Sequence, residues 1–283
     1  MSYDRADRRY LLGYRLHLTI RGLRDLVPGL RRVSLRRPYY DILKYLYPQG
    51  IPVALSTGQK VRLHPPLLGI IKPETYEARL AKLFVNFVSP GGLVLDVGAH
   101  VGLHTMLFNR LVGAEGRVLA VEPSPVNVSL LQKHLAWNQC RNVEVIEAAI
   151  GDREDLISFR FWPDPTSGYA CENSLGSERG EPAKVRMTTI DALCVGNKPD
   201  LIKIDVEGAE FLVLQGARET LTSAAPVVVV AIHPREMRVL NSSPAELILF
   251  LAECGYEGRH LDGRRATNAE HEELVFRKAA LGV

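Results

Sequence analysis

Four short stretches hold the residues whose types and spacing suit chemistry. DVGAHVG at 96–102 puts Asp96 at the end of an apolar run, followed by Gly98, Ala99, His100 and Gly102. An acid, bare backbone and an opening helix, in that order, form a sharp turn that can accept hydrogen bonds from an ammonium or amide. Glu122, in AVEPSP, lies 24 residues beyond Gly98. An acid there is placed to accept two hydrogen bonds from ribose hydroxyls, so the pair points to a nucleoside. The spacing D-x-G-x-x-x-G differs from the dinucleotide pattern G-x-G-x-x-G and offers no pyrophosphate cradle, which counts against a nicotinamide oxidoreductase. The competing explanation is structural capping of the turn.

Further along, Asp205 and Glu207 follow LIKI, and His233 follows PVVVVAI. If those runs are adjacent parallel strands, about 4.8 Å apart, the three groups converge at one crevice mouth. Two carboxylates and an imidazole there suit proton removal from a hydroxyl. With an ordinary pKa of about 6.5, His233 is the expected general base, and Asp205 or Glu207 orients it or binds the acceptor. The plainer alternative is that His233 caps its strand and Glu207 the next helix. The same trio has enough ligands for a divalent metal, although the expectation is a metal-free site. His64, His104 and His134 read as surface or core residues.

These residues need a scaffold, and the chain supplies a regular one. LVLDV, RVLAVE, NVEVIEAAI, DLIKID and PVVVVAIH read as strands, and the segments after them as helices. Strands apolar on both faces, alternating with helices, indicate a parallel sheet covered on both sides. IPVALSTGQKVRLHP (51–65) alternates around Ser56-Thr57-Gly58 as a β-hairpin does, and a helix is expected from about Glu74 to Val88. Residues 163–183, rich in Gly, Pro, Ser and charge, read as a long loop beside the ligand crevice.

Composition sets outer bounds. With 283 residues, 46% hydrophobic and 24% charged, the chain is an ordinary globular protein. Four widely spaced cysteines without a C-x-x-C pair argue against a zinc site or disulfide framework and for a reducing compartment. No apolar run approaches the roughly 18 residues of a membrane span, and the start lacks a signal-peptide core, so a cytoplasmic location is expected. Residues 1–38 hold ten arginines and three aspartates, whereas the whole chain carries only +3, so a basic arm joins a mildly acidic body. In the arm Leu12, Leu16, Ile20, Leu23, Val27 and Leu30 follow a helical period. Such a helix packs on its own domain or on a twin subunit in a homodimer, or lies on an anionic membrane surface as a peripheral contact at the inner face. Nucleic acid is not an expected partner, because basic patches with interleaved aromatics are missing from the body.

At this point the motifs are recognisable. DVGAHVGLHT followed by VEPSP resembles the glycine-rich and ribose-binding motifs of class I S-adenosylmethionine-dependent methyltransferases. IKIDVEGAE (202–210) resembles the signature of the FkbM family, with EAAIGD (147–152) and VRMTTIDAL (185–193) in the expected order. The resemblance covers roughly residues 50–277. It implies an α/β Rossmann-like sheet of seven strands, the last antiparallel, with helices on both faces. The expected layout is a basic arm over 1–48, outside the resemblance, and a methyltransferase domain over 49–283, with a hairpin lead-in at 51–64 and a core at about 91–277. The resemblance also implies S-adenosylmethionine as cofactor and O-methylation of a sugar, glycolipid or polyketide-type small-molecule acceptor. By position, Asp96, Gly98, Ala99, His100 and Gly102 would line the methionine end, Glu122 the ribose, and Ala149 and Asp152 the adenine. His100 stands where the family more often has Asn; both tolerate unusual turn dihedrals. A non-catalytic nucleoside-binding protein, tethered by its basic arm to membrane or partner, is the alternative.

Overall fold

The computed structural model describes residues 36–161 and 181–279. The amphipathic segment expected over 12–30 and residues 163–180 of the expected loop lie outside them. The described chain divides into two compact units. One holds the residues up to Ala78 together with 136–139, and the other holds Arg79–Leu135 and the chain from Cys140 onward.

In the first unit, helix α1 (Arg36–Leu46) precedes the hairpin of β1 (Ile51–Ala54) and β2 (Lys60–Leu63). The strands pair antiparallel with Ile51 opposite Leu63, and the alternation turns Ile51, Val53, Val61 and Leu63 inward. The amide of Asn138 extends β2: it accepts from the Arg62 N–H at 2.7 Å and donates to the Arg62 carbonyl at 2.9 Å. Helix α2 (Ala78–Phe87) starts later than the expected Glu74. Residues 72–76 are instead spent on turn bonds, and Glu77 takes a left-handed φ of 40°.

The second unit is built on a seven-stranded sheet. Its strands are β3 (Leu93–Val97), β4 (Arg117–Val121), β5 (Val143–Ile146), β9 (Leu201–Ile204), β10 (Val227–Ile232), β11 (Tyr256–His260) and β12 (Glu272–Lys278). Their spatial order is β11-β12-β10-β9-β3-β4-β5, and β12 runs antiparallel to both neighbours, as the resemblance implied. Leu95, Val97, Ile202, Ile204, Val228 and Val230 are at most 1% exposed, so truncating any one to alanine should cost about 2–5 kcal/mol. Helices α3 (Leu103–Val112), α4 (Pro125–Trp137), α5 (Glu210–Gln215) and α6 (Pro244–Glu253) follow their strands as expected.

The run NVEVIEAAI does not form one strand. The Ile146 carbonyl takes the N–H groups of both Glu122 and Ala148, which closes the ladder there. The chain resumes as β6 (Ala149–Ile150) in a separate sheet with β8 (Glu181–Thr188) and β7 (Asp155–Phe161). Glu181–Ala183, read as the end of a loop, therefore begin a strand. Phe159, Val185 and Met187 give that sheet its own small core. Cys140, Cys194 and Cys254 are free thiols, and Cys171 lies outside the described residues. Among the described residues no helix is long and apolar enough to cross a membrane.

Candidate active site

The chain runs from β3 outward through β4 to β5, then returns to lay β9 against the other side of β3. Strand order therefore reverses between β3 and β9, and the crevice beyond their carboxyl ends is where an open α/β sheet binds ligands. Asp96 pairs in register with Lys203, and Val97 with Ile204. The Asp205 N–H donates to the Val97 carbonyl at 3.0 Å, so the turns after the two strands touch.

That contact explains Gly98. Its φ is +79°, and a Cβ there would stand 1.8 Å from the Asp205 carbonyl oxygen. The Gly98 and Ala99 N–H groups both donate to the Val121 carbonyl, at 2.9 and 3.0 Å. His100 continues the turn at φ 52° and donates its N–H to Glu122 Oε2 at 2.9 Å. Burial holds the His100 imidazole down at about 4, so it is neutral near pH 7. Gly102, at φ +89°, caps α3; its missing Cβ clears Leu131, which would otherwise be 2.4 Å away. The glycine at 102 thus lets helix α4 pack close against the start of α3.

Asp96 is fully buried; Thr105 donates to its Oδ2 at 2.6 Å. Its Oδ1 has no hydrogen-bond partner and lies 3.5 Å from Lys203 Nζ. Glu122 is 3% exposed and accepts from Ser124 N–H and Asn127 Nδ2 through Oε1, besides His100 N–H through Oε2. Burial pushes its carboxyl up against those three bonds. A carboxylate has about four acceptor positions, so Glu122 retains one for a ligand hydroxyl rather than two. Ala149 is buried in β6, and Asp152, just beyond it, is paired with Arg153 at 3.0 Å. The Asp96 oxygen that makes no hydrogen bond, the neutral His100 ring and the spare position on Glu122 fit a cationic amino acid joined to a nucleoside.

On the other side of the switch point, Asp205, Glu207 and His233 do converge. His233 Nε2 lies 3.6 Å from Glu207 Oε2 and 3.9 Å from Asp205 Oδ1. Lys203 Nζ stands 3.3 Å from Asp205 Oδ2 and so links this trio to Asp96. Burial pushes Asp205 up, but Lys203, His233 and His104 outweigh it and hold the carboxyl below its usual range. Burial holds the Glu207 carboxyl high. For His233 burial works downward, yet the Glu210 hydrogen bond and the Glu207 and Asp205 charges raise the ring to about 9. Near neutrality it carries its proton, unlike the ordinary imidazole that the sequence argument for a base assumed. The ring of His271 meets His233 edge-on at 4.8 Å between centroids. A cavity of about 430 Å³ opens there, lined by Pro234, Arg235, Glu236, Arg238, Glu270 and His271.

Two residues of the site went unnoticed in the sequence. Lys203 interrupts the apolar strand I-K-I, a position with no solvent face, so its need for buried acids was legible. Glu210 lies in the first turn of its helix, where an acid needs no further explanation. Its Oε1 bonds His233 Nδ1 at 2.7 Å, a contact across 23 residues that no local pattern announces.

The methyltransferase FkbM domain family matches residues 96–257, more than half of the chain. The chain is similar to Methyltransferase 1 of Beauveria bassiana, 26% identical over 143 residues, which is 44% of this chain and 57% of that protein. It is also similar to Methyltransferase sdnD of Sordaria araneosa, 27% identical over 44% of this chain and 60% of that one. The match therefore spans less than two thirds of either fungal relative. The 2-O-methyltransferase NoeI of Sinorhizobium fredii is 27% identical over 201 residues, 64% of this chain and 78% of NoeI. Among solved structures, methyltransferase FkbM from Methylobacillus flagellatus superposes with a TM-score of 0.47 at 16% identity, over 69% of this chain and 50% of that one.

Proposed function

This chain belongs to the FkbM methyltransferase family, whose methyl donor is S-adenosylmethionine, and from that premise we propose that it methylates a hydroxyl oxygen of a sugar, glycolipid or polyketide-type acceptor. The observation that carries the proposal is the contact of the two strand-end turns. It sets the Asp96–Glu122 half against the Asp205–Glu207–His233 half, one suited to the donor and the other to an acceptor's proton. The oxygen acceptor draws support from the relative NoeI, which is itself a 2-O-methyltransferase.

S-adenosylmethionine, when bound, supplies a methyl group already activated by its sulfonium. The protein's task is to align the acceptor oxygen and remove its proton. In this reading Asp96 and the 98–102 turn hold the methionine end, Glu122 accepts from one ribose hydroxyl, and Ala149 and Asp152 flank the base. Asp205, kept ionised by Lys203, receives the acceptor hydroxyl. Glu207 and His233 would close over it and this cluster would take up the O–H proton; the donor would supply the methyl group, its carbon–sulfur bond breaking to leave the neutral thioether S-adenosylhomocysteine. The charged cavity beyond His271 suits a polar, hydroxyl-rich acceptor.

The test is calorimetry with S-adenosylmethionine and with NAD, followed by S-adenosylhomocysteine release against panels of glycosides, glycolipids and macrolactones. The expected result is binding of S-adenosylmethionine alone, with turnover on a hydroxylated acceptor and product methylated at oxygen by NMR. Binding of NAD alone would sink the proposal. Tight S-adenosylmethionine binding with no transfer to any panel would favour the tethered, non-catalytic alternative. An Asp205→Asn variant should lose at least about a hundredfold in turnover, the range expected for a group acting on the proton in flight.

A further inference from the structure

We propose that Asp205, Glu207 and His233 form a binding site for one hard divalent cation of the Mn²⁺ or Mg²⁺ class. One oxygen from each acid and one ring nitrogen lie within 4.8 Å of one another. The separations from His233 Nε2, 3.6 and 3.9 Å, are too long for hydrogen bonds. They are close to the roughly 3–3.5 Å that separates ligand atoms sharing a cation at bond lengths near 2.1 Å. The ligand atoms, up to 4.8 Å apart, must draw together by roughly 1.3 Å at the widest pair to share one ion, and Glu207, half-exposed, has the freedom to move.

The second observation is independent of the acids. His233 is 4% exposed, and its Nε2 makes no hydrogen bond. The ring is turned toward the carboxylates by its other nitrogen: Nδ1 bonds Glu210 Oε1 at 2.7 Å, and Glu210 is fully buried. Gly208 N–H donates to the same Glu210 oxygen at 2.9 Å, which fixes it in turn. A buried carboxylate locking one imidazole nitrogen so that the other points at oxygen ligands is the outer-shell arrangement of metal-binding histidines.

Charge supplies the need. Three carboxylates, those of Asp205, Glu207 and Glu210, surround a single imidazole. Among the described residues the cations these acids meet are the His233 ring itself, whose proton a metal ion would replace, and Lys203, which is shared with Asp96. Three protein ligands leave positions open to water and to an acceptor oxygen, and a cation there lowers the pKa of a coordinated hydroxyl. That last consequence rests on the methyl-transfer reading above; the binding itself does not.

The experiment titrates Mn²⁺ into the full-length chain without cofactor and follows loss of the free-ion signal by electron paramagnetic resonance. One saturable ion per chain is expected, weakened at least about tenfold in Glu207→Gln and in Asp205→Asn. S-adenosylmethionine affinity, measured on the same variants by calorimetry, should change less than about threefold, which shows that they are folded. Absence of saturable binding up to about 1 mM Mn²⁺, the weak end for oxygen-ligand sites, overturns the site. So does binding that the Asp205→Asn/Glu207→Gln double variant leaves unchanged. If instead Mn²⁺ binds as described and S-adenosylmethionine does not, the cation site stands and the methyl-transfer reading falls.

Discussion

The two halves of the crevice handle their charges in opposite ways. On the β3–β4 side the acids are held by donors from within the fold: Glu122 holds three, Asp96 holds Thr105 through Oδ2, and only the Asp96 Oδ1 and the neutral His100 ring nitrogen Nε2 are left open among these groups. On the β9–β10 side His233 Nε2 faces the Glu207 and Asp205 carboxylates at 3.6–3.9 Å without closing into a hydrogen bond. Satisfied groups fix a shape before any ligand arrives, and such preorganisation suits a ligand that never varies. Unclosed charges suit a step in which a proton or an ion changes place. Lys203, between Asp96 and Asp205, is where the two regimes meet.

The most damaging way to break this arrangement is at the wall the halves share. Gly98→Ala adds a Cβ 1.8 Å from the Asp205 carbonyl at a left-handed φ of +79°. Backbone faces backbone there, so neither side can rotate away. Overpacking and the dihedral together should cost roughly 3–5 kcal/mol. Gly196 is the control: its φ is +74°, but nothing lies within 4 Å of a Cβ, so Gly196→Ala should cost only about 1 kcal/mol. Chemical denaturation of both variants measures the difference. Equal losses would mean that the turns do not touch as described.

A smaller effect is expected from unsettling the preorganised half alone. Glu122→Gln keeps the shape but points an N–H₂ at donors that the carboxylate now accepts. Leaving one buried donor unmatched costs about 1–3 kcal/mol. Because His100 N–H is among those donors, S-adenosylmethionine affinity should fall about tenfold or more. Mn²⁺ binding at the other half should stay within about twofold, since sites without shared partners act independently. Loss of both would erase the distinction between the halves.

Much of this was legible in the sequence, and the misses share a cause. Period and apolar runs identified β3, β4, β9 and β10 because each strand is buried on both faces and has no other way to be read. Asp96, Glu122, Asp205 and His233 stood out because each ends such a run. The break after Ile146 was hidden, since it depends on one carbonyl taking two N–H groups, one of them from Glu122. β7 went unread although DLISFRF alternates, because its partner β8 lies across the long Gly- and Pro-rich stretch. Glu210 was not singled out, because its use by His233 appears only when β9 and β10 lie side by side. Contacts that the topology makes, rather than the local pattern, were what the sequence withheld.

The last predicted effect, confined to acid pH, probes the floor beneath both halves. His104 is buried in α3 against the edge of Phe84, with ring centroids 5.2 Å apart. Burial holds its pKa down at about 3, with Lys203 pushing the same way and Asp205 opposing. An unfolded histidine titrates near 6.5, so between those values the unfolded chain binds the extra proton and stability falls as pH falls. At pH 5 the loss from this residue should be about 2 kcal/mol relative to pH 7.5. His104→Leu fills similar volume and does not titrate, so denaturation at the two pH values should show a difference about 2 kcal/mol smaller than in the parent. His100, neutral for the same reason, leaves some acid sensitivity in the variant. If the parent and His104→Leu lose stability in parallel on acidification, the buried floor is hydrated, and the preorganisation assigned to the β3–β4 half has lost its base.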